Sequence, residues 1–313
     1  MARTRTIRHG LEAVLFLLGQ WIVPLFPRRF LVAFSRAAGW IGFAVARGQR
    51  RIALANLDVV YGDSLSKREK EAIVLAAFRS FALLACDFFW FSRRTEARLR
   101  RWVRFDDSCR HCLQTRPAVL TGPHLGNWEI VGQALALRGH GWTSVVLPLK
   151  NPWVDARIAA MRRRTGQNVV PRAGAVRRLL AVLRGGGQVA LLIDQNTKPS
   201  DGGVFVEFFG LPAPVSKAAA ALAIRTGTPV VLVHCLPERD GGYRAFASEP
   251  VVPPQDKDRE SEFTRALVER LEALIRSAPG HWLWMYKRWK YIPSGADPAR
   301  YPFYAKSCRE ALR

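Results

Sequence analysis

Acidic residues and cysteine are both scarce in this sequence of 313 residues. The 25 Asp and Glu are outnumbered by 48 Lys and Arg, which leaves a net charge of +23 at pH 7. A surface with this charge attracts polyanions, so the candidate partners are nucleic acid, anionic lipid head groups and an acidic carrier protein. The hydrophobic content of 49% is that of a globular protein and argues against a disordered chain.

The five cysteines are odd in number and scattered, which argues against a disulfide framework and favours a reducing compartment. Cys109 and Cys112 have the spacing of a redox or zinc-binding pair. No second pair accompanies them, so we interpret the spacing as coincidence and predict no metal site.

The N-terminus lacks an uncharged apolar run long enough to cross a membrane as a straight helix. In the apolar stretch Leu11–Pro27 the uncharged part, from Ala13 onward, has 15 residues, whereas a span requires about 20. A second stretch, Phe30–Ala46, is broken by Arg36. We predict that residues 1–50 form an uncleaved helical membrane anchor, either one strained span or a pair of interfacial helices with basic flanks facing the cytoplasm. The alternative is a pair of ordinary core helices.

Residues 51–313 are predicted to form one catalytic domain, because apolar strand patterns alternate there with helical patterns. This alternation predicts βαβ units and an α/β fold with a mostly parallel sheet flanked by helices. Ser66 and Glu69 form a capping box that begins a long helix, ending near Phe91. The predicted strands are Ala118–Thr121, Ser144–Leu147, Val169–Val170, Val189–Ile193, Pro229–His234 and, at an edge, Tyr243–Ala247. The helices among and after these strands are Asn127–Arg138, Val154–Thr165, Ala175–Arg184, Lys217–Thr226 and Phe263–Ser277.

The loop after the strand Ala118–Thr121 is the strongest candidate for chemistry. Ligands in open α/β sheets bind beyond the carboxyl ends of the strands. The helix that begins near Asn127 directs free N–H groups and the positive end of its dipole into this loop. Gly126 allows a substrate to approach the backbone closely. The loop therefore offers candidate donors for a developing oxyanion.

His124, in the same loop, has a carboxylate within reach at Glu129. A histidine oriented by a carboxylate is the minimum equipment for deprotonating an alcohol. No Ser or Cys stands in a nucleophile-elbow motif here, which favours direct attack by a substrate hydroxyl over a covalent enzyme intermediate. The spacing alone is weak evidence, because chance His/Glu pairs are common.

The run His124-Leu-Gly-Asn-Trp-Glu129 resembles the His-x4-Asp/Glu motif of the lysophospholipid acyltransferase superfamily. More narrowly, it resembles the lipid A biosynthesis (late) lauroyl/myristoyl acyltransferases. Further stretches agree with this narrower family in the same order along the chain: Asn151–Pro152, Arg162–Gly166, Pro171–Ala175, Leu191–Gln195, Gly203–Gly210 and Trp282–Lys290. Several spaced motifs in one order are far more specific than a single one, and the resemblance spans most of the chain.

The resemblance implies a role for each matching residue. His124 would be the general base and Glu129 its partner. Arg164 or its neighbour Arg162 would stabilise the oxyanion or hold a phosphate. At least one of the three consecutive arginines 162–164 must be on the solvated face of the helix. Substrate binding would fall to Gly126 and Asn127 in the loop and to Asp194 and Gln195 after a later strand. The alternative for Asp194 is a helix or turn cap.

The implied reaction is O-acyl transfer from acyl carrier protein, or from acyl-CoA, to a hydroxyl of a lipid A precursor at the cytoplasmic face of the bacterial inner membrane. No metal or cofactor is implied. The mixed tryptophans and cations of Trp282–Lys290 suit a membrane interface, and no nucleic-acid-binding signature accompanies them. Two alternatives stay open: a different acceptor, such as a glycolipid, an ornithine-type lipid or a lysophospholipid, or a non-catalytic basic protein that binds membranes or nucleic acid.

Overall fold

A computed structural model describes residues 2–146, 149–171 and 174–308 of the chain. The helices are α1 Ala2–Ile22, α2 Arg28–Val45, α3 Arg47–Tyr61, α4 Lys67–Trp90, α5 Thr95–Trp102, α6 Cys109–Gln114, α7 Trp128–Leu137, α8 Pro152–Arg164, α9 Ala175–Arg184, α10 Ala218–Thr226 and α11 Glu260–Ser277. The strands are β1 Val103–Phe105, β2 Ala118–Gly122, β3 Trp142–Val146, β4 Asn168–Pro171, β5 Gln188–Leu192, β6 Gly203–Phe208, β7 Leu211–Ser216, β8 Val230–Pro237, β9 Tyr243–Ala247, β10 Tyr291–Ile292 and β11 Lys306–Ser307.

The central sheet has seven strands in the order β1-β9-β8-β2-β5-β3-β4. The strands from β8 to β4 run parallel to their neighbours, and β9 pairs antiparallel with β8. The predicted α/β fold, a mostly parallel sheet flanked by helices, is confirmed. The edge position predicted for Tyr243–Ala247 is wrong, because β1 pairs with β9 on its outer side. At three residues, β1 is too short to give a periodic signal in the sequence.

The predicted helix and strand positions agree with the structure to within a few residues. Ser66 accepts the backbone N–H of Glu69, and the Glu69 carboxylate accepts the backbone N–H of Ser66, so the capping box at the start of α4 is confirmed. Leu147, the last residue of one predicted strand, lies outside the described residues. So does Arg172, within the motif Pro171–Ala175.

Side chains alternate between the two faces of the sheet, and each face has its own helix layer. Val119 of β2 packs in a core that includes Leu179 of α9 and Leu222 of α10. The next residue, Leu120, packs in a second core with Ile130 of α7. Because both faces are covered, every residue of β2 is buried. This explains why the central strands have continuous apolar sequences.

The N-terminal helices carry a concentrated apolar surface. Among the described residues, α4 alone is long and apolar enough to cross a membrane by itself, with a mean hydropathy of 1.9. The pair formed by α2 and residues 47–64 also qualifies, but it is bent by 90°. The membrane anchor assigned to residues 1–50 stays a prediction. The exposed large hydrophobic side chains of α1, α2 and the turn between them are Leu11, Val14, Leu15, Leu18, Trp21, Ile22, Leu25, Phe26, Phe30, Phe34, Trp40, Ile41 and Val45.

The tryptophans of the segment Trp282–Lys290 belong to the core, whereas its Lys287 and Lys290 are exposed. Trp282, Trp284 and Trp289 are buried, and so is Arg288. The rings of Trp282 and Trp284 pack edge to face with centroids 4.7 Å apart. These tryptophans therefore contribute mainly to the hydrophobic core, where large aromatic side chains bury much apolar surface.

Candidate active site

His124 and Asp194 meet because two neighbouring strands end at the same level of the sheet. The strands β2 and β5 are parallel, with Gly122 opposite Leu192. His124 follows Gly122 by two residues, and Asp194 follows Leu192 by the same interval. Because the two strands are parallel and both residues lie two positions beyond paired residues, their side chains lie side by side at the carboxyl edge of the sheet. Open α/β folds bind ligands at this edge.

The Asp194 carboxylate holds His124 at two points. Its Oδ1 atom is 2.6 Å from His124 Nδ1, and its Oδ2 atom accepts the backbone N–H of His124 at 2.7 Å. Oδ2 also accepts the indole N–H of Trp282 at 2.8 Å. Burial by itself would raise the pKa of Asp194, but the interactions with His124 and Trp282 hold that pKa below its ordinary value. The carboxylate is therefore charged and directed at the imidazole.

The outward nitrogen of His124 faces a cavity. With the Nδ1 proton bound to Asp194, Nε2 is the atom with a free lone pair. Gln195 Nε2 lies 3.3 Å from it and is the donor in this tautomer. The His124 side chain is 15% exposed whereas Asp194 is 2% exposed, so a substrate can reach the imidazole but not the carboxylate.

The backbone around Gly126 is bound to the rest of the protein. Gly126 has a φ of +62°, and a Cβ at this position would lie 1.8 Å from the carbonyl oxygen of Cys235. Its N–H donates to the carbonyl of His281 at 2.9 Å, and the N–H of Asn127 donates to the carbonyl of Cys235 at 3.0 Å. Glycine is required here by the approach of β8, and these bonds occupy two of the N–H groups of the loop predicted to offer oxyanion donors.

Asn127 is buried beneath the loop. Its side-chain oxygen caps α7 by accepting the N–H of Ile130, and its amide group lies 3.4 Å from Asp87. Asp87 is fully buried and also binds Arg28 and the hydroxyl of Tyr243. This network, absent from the sequence predictions, joins α2, α4 and β9 to the loop that carries His124. Its partners are far apart in the chain, so no local pattern signals it.

Glu129 pairs with an arginine in this structure. Its two oxygens accept from Nε and Nη2 of Arg162 at 2.8 and 2.9 Å, a two-point contact that fixes the guanidinium in plane. Burial would lower the pKa of Arg162, and the bonds to Glu129 raise it. Arg164 is exposed on α8, because residues two apart point to different sides of a helix.

These groups line one cavity of about 650 Å³. His124, Glu129, Arg162 and Gln195 lie on its wall, and much of the remaining lining is apolar. A basic nitrogen, a fixed cation and an apolar volume in one place can bind an amphiphile and remove a proton from its polar end. Among the described residues, no group of three or more His, Cys, Asp or Glu side chains is placed to hold a metal ion. The side chain of Cys112 lies outside the described residues.

The sequence matches the family described as "Bacterial lipid A biosynthesis acyltransferase" over residues 2–291. A phosphatidylinositol mannoside acyltransferase of Mycolicibacterium smegmatis is 32% identical over 179 residues, which are 56% of this chain and 57% of that protein. The chain thus spans little more than half the length of that relative. The lipid A biosynthesis lauroyltransferase of Escherichia coli is 24% identical over 90% of this chain and 92% of that protein. A solved 1-acyl-sn-glycerophosphate acyltransferase of Thermotoga maritima is 17% identical, with a TM-score of 0.38 over 82% of this chain and 99% of that chain.

Proposed function

Because the chain belongs to the bacterial lipid A biosynthesis acyltransferase family, we propose that it transfers a fatty acyl group from an acyl thioester to a hydroxyl of a lipid A precursor or a related phosphoglycolipid. The observation that carries this proposal is the His124–Asp194 pair at the wall of a largely apolar cavity. An imidazole oriented by a carboxylate deprotonates a hydroxyl, and the apolar volume suits an acyl chain.

The reaction needs one base and no covalent enzyme intermediate. The acceptor hydroxyl replaces Gln195 at His124 Nε2, and the imidazole takes its proton as the oxygen attacks the thioester carbonyl. Collapse of the tetrahedral intermediate breaks the carbon–sulfur bond. His124 then returns the proton to the departing thiolate. Asp194 keeps the imidazole in the required tautomer and stabilises its protonated form.

We assign the second charge of the site to Arg162. Glu129 binds Nε and Nη2 of Arg162, and Arg162 lines the cavity, so we infer that its Nη1 atom faces a bound substrate. A fixed guanidinium can stabilise the oxyanion or bind a phosphate of the acceptor. Glu129, predicted as the partner of His124, thus acts in this proposal by holding Arg162. Direct assistance of His124 by Glu129 remains a separate hypothesis for mutagenesis to decide.

The donor and the location follow from charge and surface. A net charge of +23 favours an acidic acyl carrier protein as donor, with acyl-CoA as the alternative. The exposed apolar side chains of α1 and α2 would lie in the acyl boundary of a membrane, with arginines near the head groups. We therefore propose that the enzyme works at the cytoplasmic face of the inner membrane.

A glycolipid acceptor is the second candidate. The mannoside acyltransferase of Mycolicibacterium smegmatis is 32% identical over its aligned part, against 24% for the Escherichia coli lauroyltransferase. Both candidate acceptors are phosphorylated sugar lipids, so the same base and cation serve either one.

Mass spectrometry of lipids from cells lacking the gene distinguishes these acceptors. We expect one lipid species to lose one acyl chain, and the wild-type gene to restore it where the His124→Ala gene does not. A lipid A species lacking a secondary chain supports the first acceptor, and an under-acylated mannolipid supports the second. An unchanged lipid profile across all classes contradicts the proposal.

A further inference from the structure

We propose that the acyl chain lies in the part of the cavity beneath α7 and that Trp142, held against Gly132, closes this part and so sets the length of the chain that is transferred. The inference rests on the proposed acyl transfer and adds a specificity determinant to it. Trp142 and Gly132 lie outside the motifs that the sequence analysis singled out.

The cavity is lined from both faces of the sheet. Leu120 and Ala190 face α7, whereas their neighbours Thr121 and Leu191 face α9 and α10. We call the first part the α7 arm; its apolar lining includes Leu120, Val131, Gly132, Leu135, Trp142 and Ala190. The second part, the α9 arm, includes Leu179 and Leu222.

Enclosure favours the α7 arm for the acyl chain. Leu120, Val131 and Leu135 are each at most 6% exposed, and the inner residues of the α9 arm, Leu179 and Leu222, are buried to a similar degree. The α9 arm runs beside Val176 and Leu192, which are 52% and 39% exposed, so it opens toward solvent. Each methylene removed from water favours binding about fourfold, so a saturated tail gains most in the enclosed arm.

The α7 arm leads from the reacting groups down along the helix. Glu129 stands in the first turn of α7 beside the catalytic end of the cavity, and Leu135 stands near the other end of the helix. At about 1.5 Å per residue this is a depth of about 9 Å. An extended chain advances about 1.2 Å per bond. The arm therefore holds a limited number of carbons, and what closes its lower end decides that number.

Trp142 closes the lower end in a fixed orientation. Its indole N–H donates to the carbonyl oxygen of Gly132 at 3.0 Å, which ties the first residue of β3 to the middle of α7. A Cβ on Gly132 would lie 2.5 Å from the indole Cζ2 atom. Glycine is disfavoured inside a helix relative to alanine, so its presence here has a steric reason: the indole occupies the space of a side chain.

A polar group lies at the same end. The Nε2 atom of Gln167 is 3.5 Å from the position of that Cβ, and Gln167 is buried. Within the described part of the chain, Nε2 has no hydrogen-bond partner. Methylenes that extended past Trp142 would meet this amide instead of apolar side chains. The arm thus ends on a fixed ring and an amide, both of which disfavour a longer tail.

Transfer rates with saturated acyl-CoA donors of 6 to 20 carbons test the inference, because the optimum chain length can be compared between variants. Trp142→Ala opens the lower end, and we expect the optimum to move to donors at least two carbons longer. Gly132→Ala forces the indole into the arm, and the optimum should move to shorter donors. Trp142→Phe, which keeps most of the fill, should move it less than Trp142→Ala. If Trp142→Ala does not fold, Trp142→Phe and Gly132→Ala carry the test.

Two control variants test whether a shift in the optimum is specific to the α7 arm. Trp102→Ala removes an indole outside the cavity, and Leu179→Ala enlarges the α9 arm; both should keep the wild-type optimum. A shifted optimum in Leu179→Ala with none in the Trp142 variants would overturn the assignment of the arm, as would wild-type optima throughout. Absence of transfer by the wild-type protein with every donor and acceptor would instead contradict the proposed function.

Discussion

Replacing Asp194 by Asn should abolish most of the activity while preserving the shape of the site. The Asp194 oxygens are not equivalent: Oδ2 accepts both the His124 backbone N–H and the Trp282 indole N–H, whereas Oδ1 faces His124 Nδ1. An asparagine would place its carbonyl oxygen at the Oδ2 position, since both groups there are donors. Its NH2 group would then face Nδ1 and donate to it.

The consequence is the wrong tautomer of His124. With Nδ1 accepting a hydrogen bond, the ring proton moves to Nε2, and the nitrogen that faces the cavity can no longer take a proton. The same substitution in Ser-His-Asp hydrolases lowers kcat about 10⁴-fold, which corresponds to about 5.5 kcal/mol in the activation free energy. Asp194 is buried, so water does not reach the site to replace the carboxylate. We therefore expect a loss of 10³- to 10⁴-fold.

The assay is the steady-state rate of acyl transfer, with Glu129→Gln as the matched carboxylate-to-amide control. Glu129→Gln releases Arg162 but leaves the base untouched, so it should raise KM for the acceptor and lower kcat far less than Asp194→Asn does. Circular dichroism and thermal unfolding of each variant separate lost chemistry from lost structure. If Asp194→Asn instead stays within tenfold of wild type while Glu129→Gln loses 10³-fold or more, Glu129 and not Asp194 is the group that orients His124.

Three further perturbations test other parts of the account. Arg162→Lys keeps the charge but cannot make the two-point contact with Glu129, so we expect KM for the lipid acceptor to rise about tenfold; an unchanged KM would remove Arg162 from substrate binding. Asp87→Asn leaves the buried Arg28 without its charge partner and should lower the free energy of unfolding by about 3–5 kcal/mol, measured by denaturant titration; a loss below 1 kcal/mol would show that the pair is dispensable. The lowered pKa of Asp194 contributes stability that is complete above its ordinary value of 3.8 and is lost as pH falls through the lower folded-state value. The stability difference between wild type and Asp194→Asn should therefore be constant from pH 5 to 7 and shrink below pH 4, and a difference that grows on acidification would contradict this sign.

The layered fold could be predicted because its central strands and amphipathic helices carry strong periodic signals. The segments β2 and β5 are short apolar runs, and α9 has its buried residues at helical spacing. The strand β1 is too short to be predicted from the sequence. Without β1, the sequence pattern places β9 at the edge of the sheet.

The position of the site was also within reach of the sequence, but the pairing of its residues was not. His124 and Asp194 were both placed at carboxyl ends of strands, where ligands bind. Which carboxylate meets His124 depends on β2 and β5 being neighbours in register, and strand order is not encoded in either segment. The Arg28–Asp87–Asn127 network depends in the same way on contacts between distant segments. The composition around Trp282 suits a membrane interface, but the Trp282 indole donates to the buried carboxylate of Asp194. A tryptophan in either environment looks the same in the sequence.

We propose that this protein moves an acyl group to a lipid hydroxyl with His124 as the base. A single-turnover experiment tests this proposal most directly. Purified protein in vesicles is mixed with acyl carrier protein or CoA that carries a radiolabelled acyl chain, and with a lipid A precursor or a mannolipid as acceptor. The radiolabel that enters the lipid is then measured over time. We predict that wild-type protein labels one acceptor in an ester linkage and that folded His124→Ala protein does not. Equal labelling by the two proteins would contradict the account.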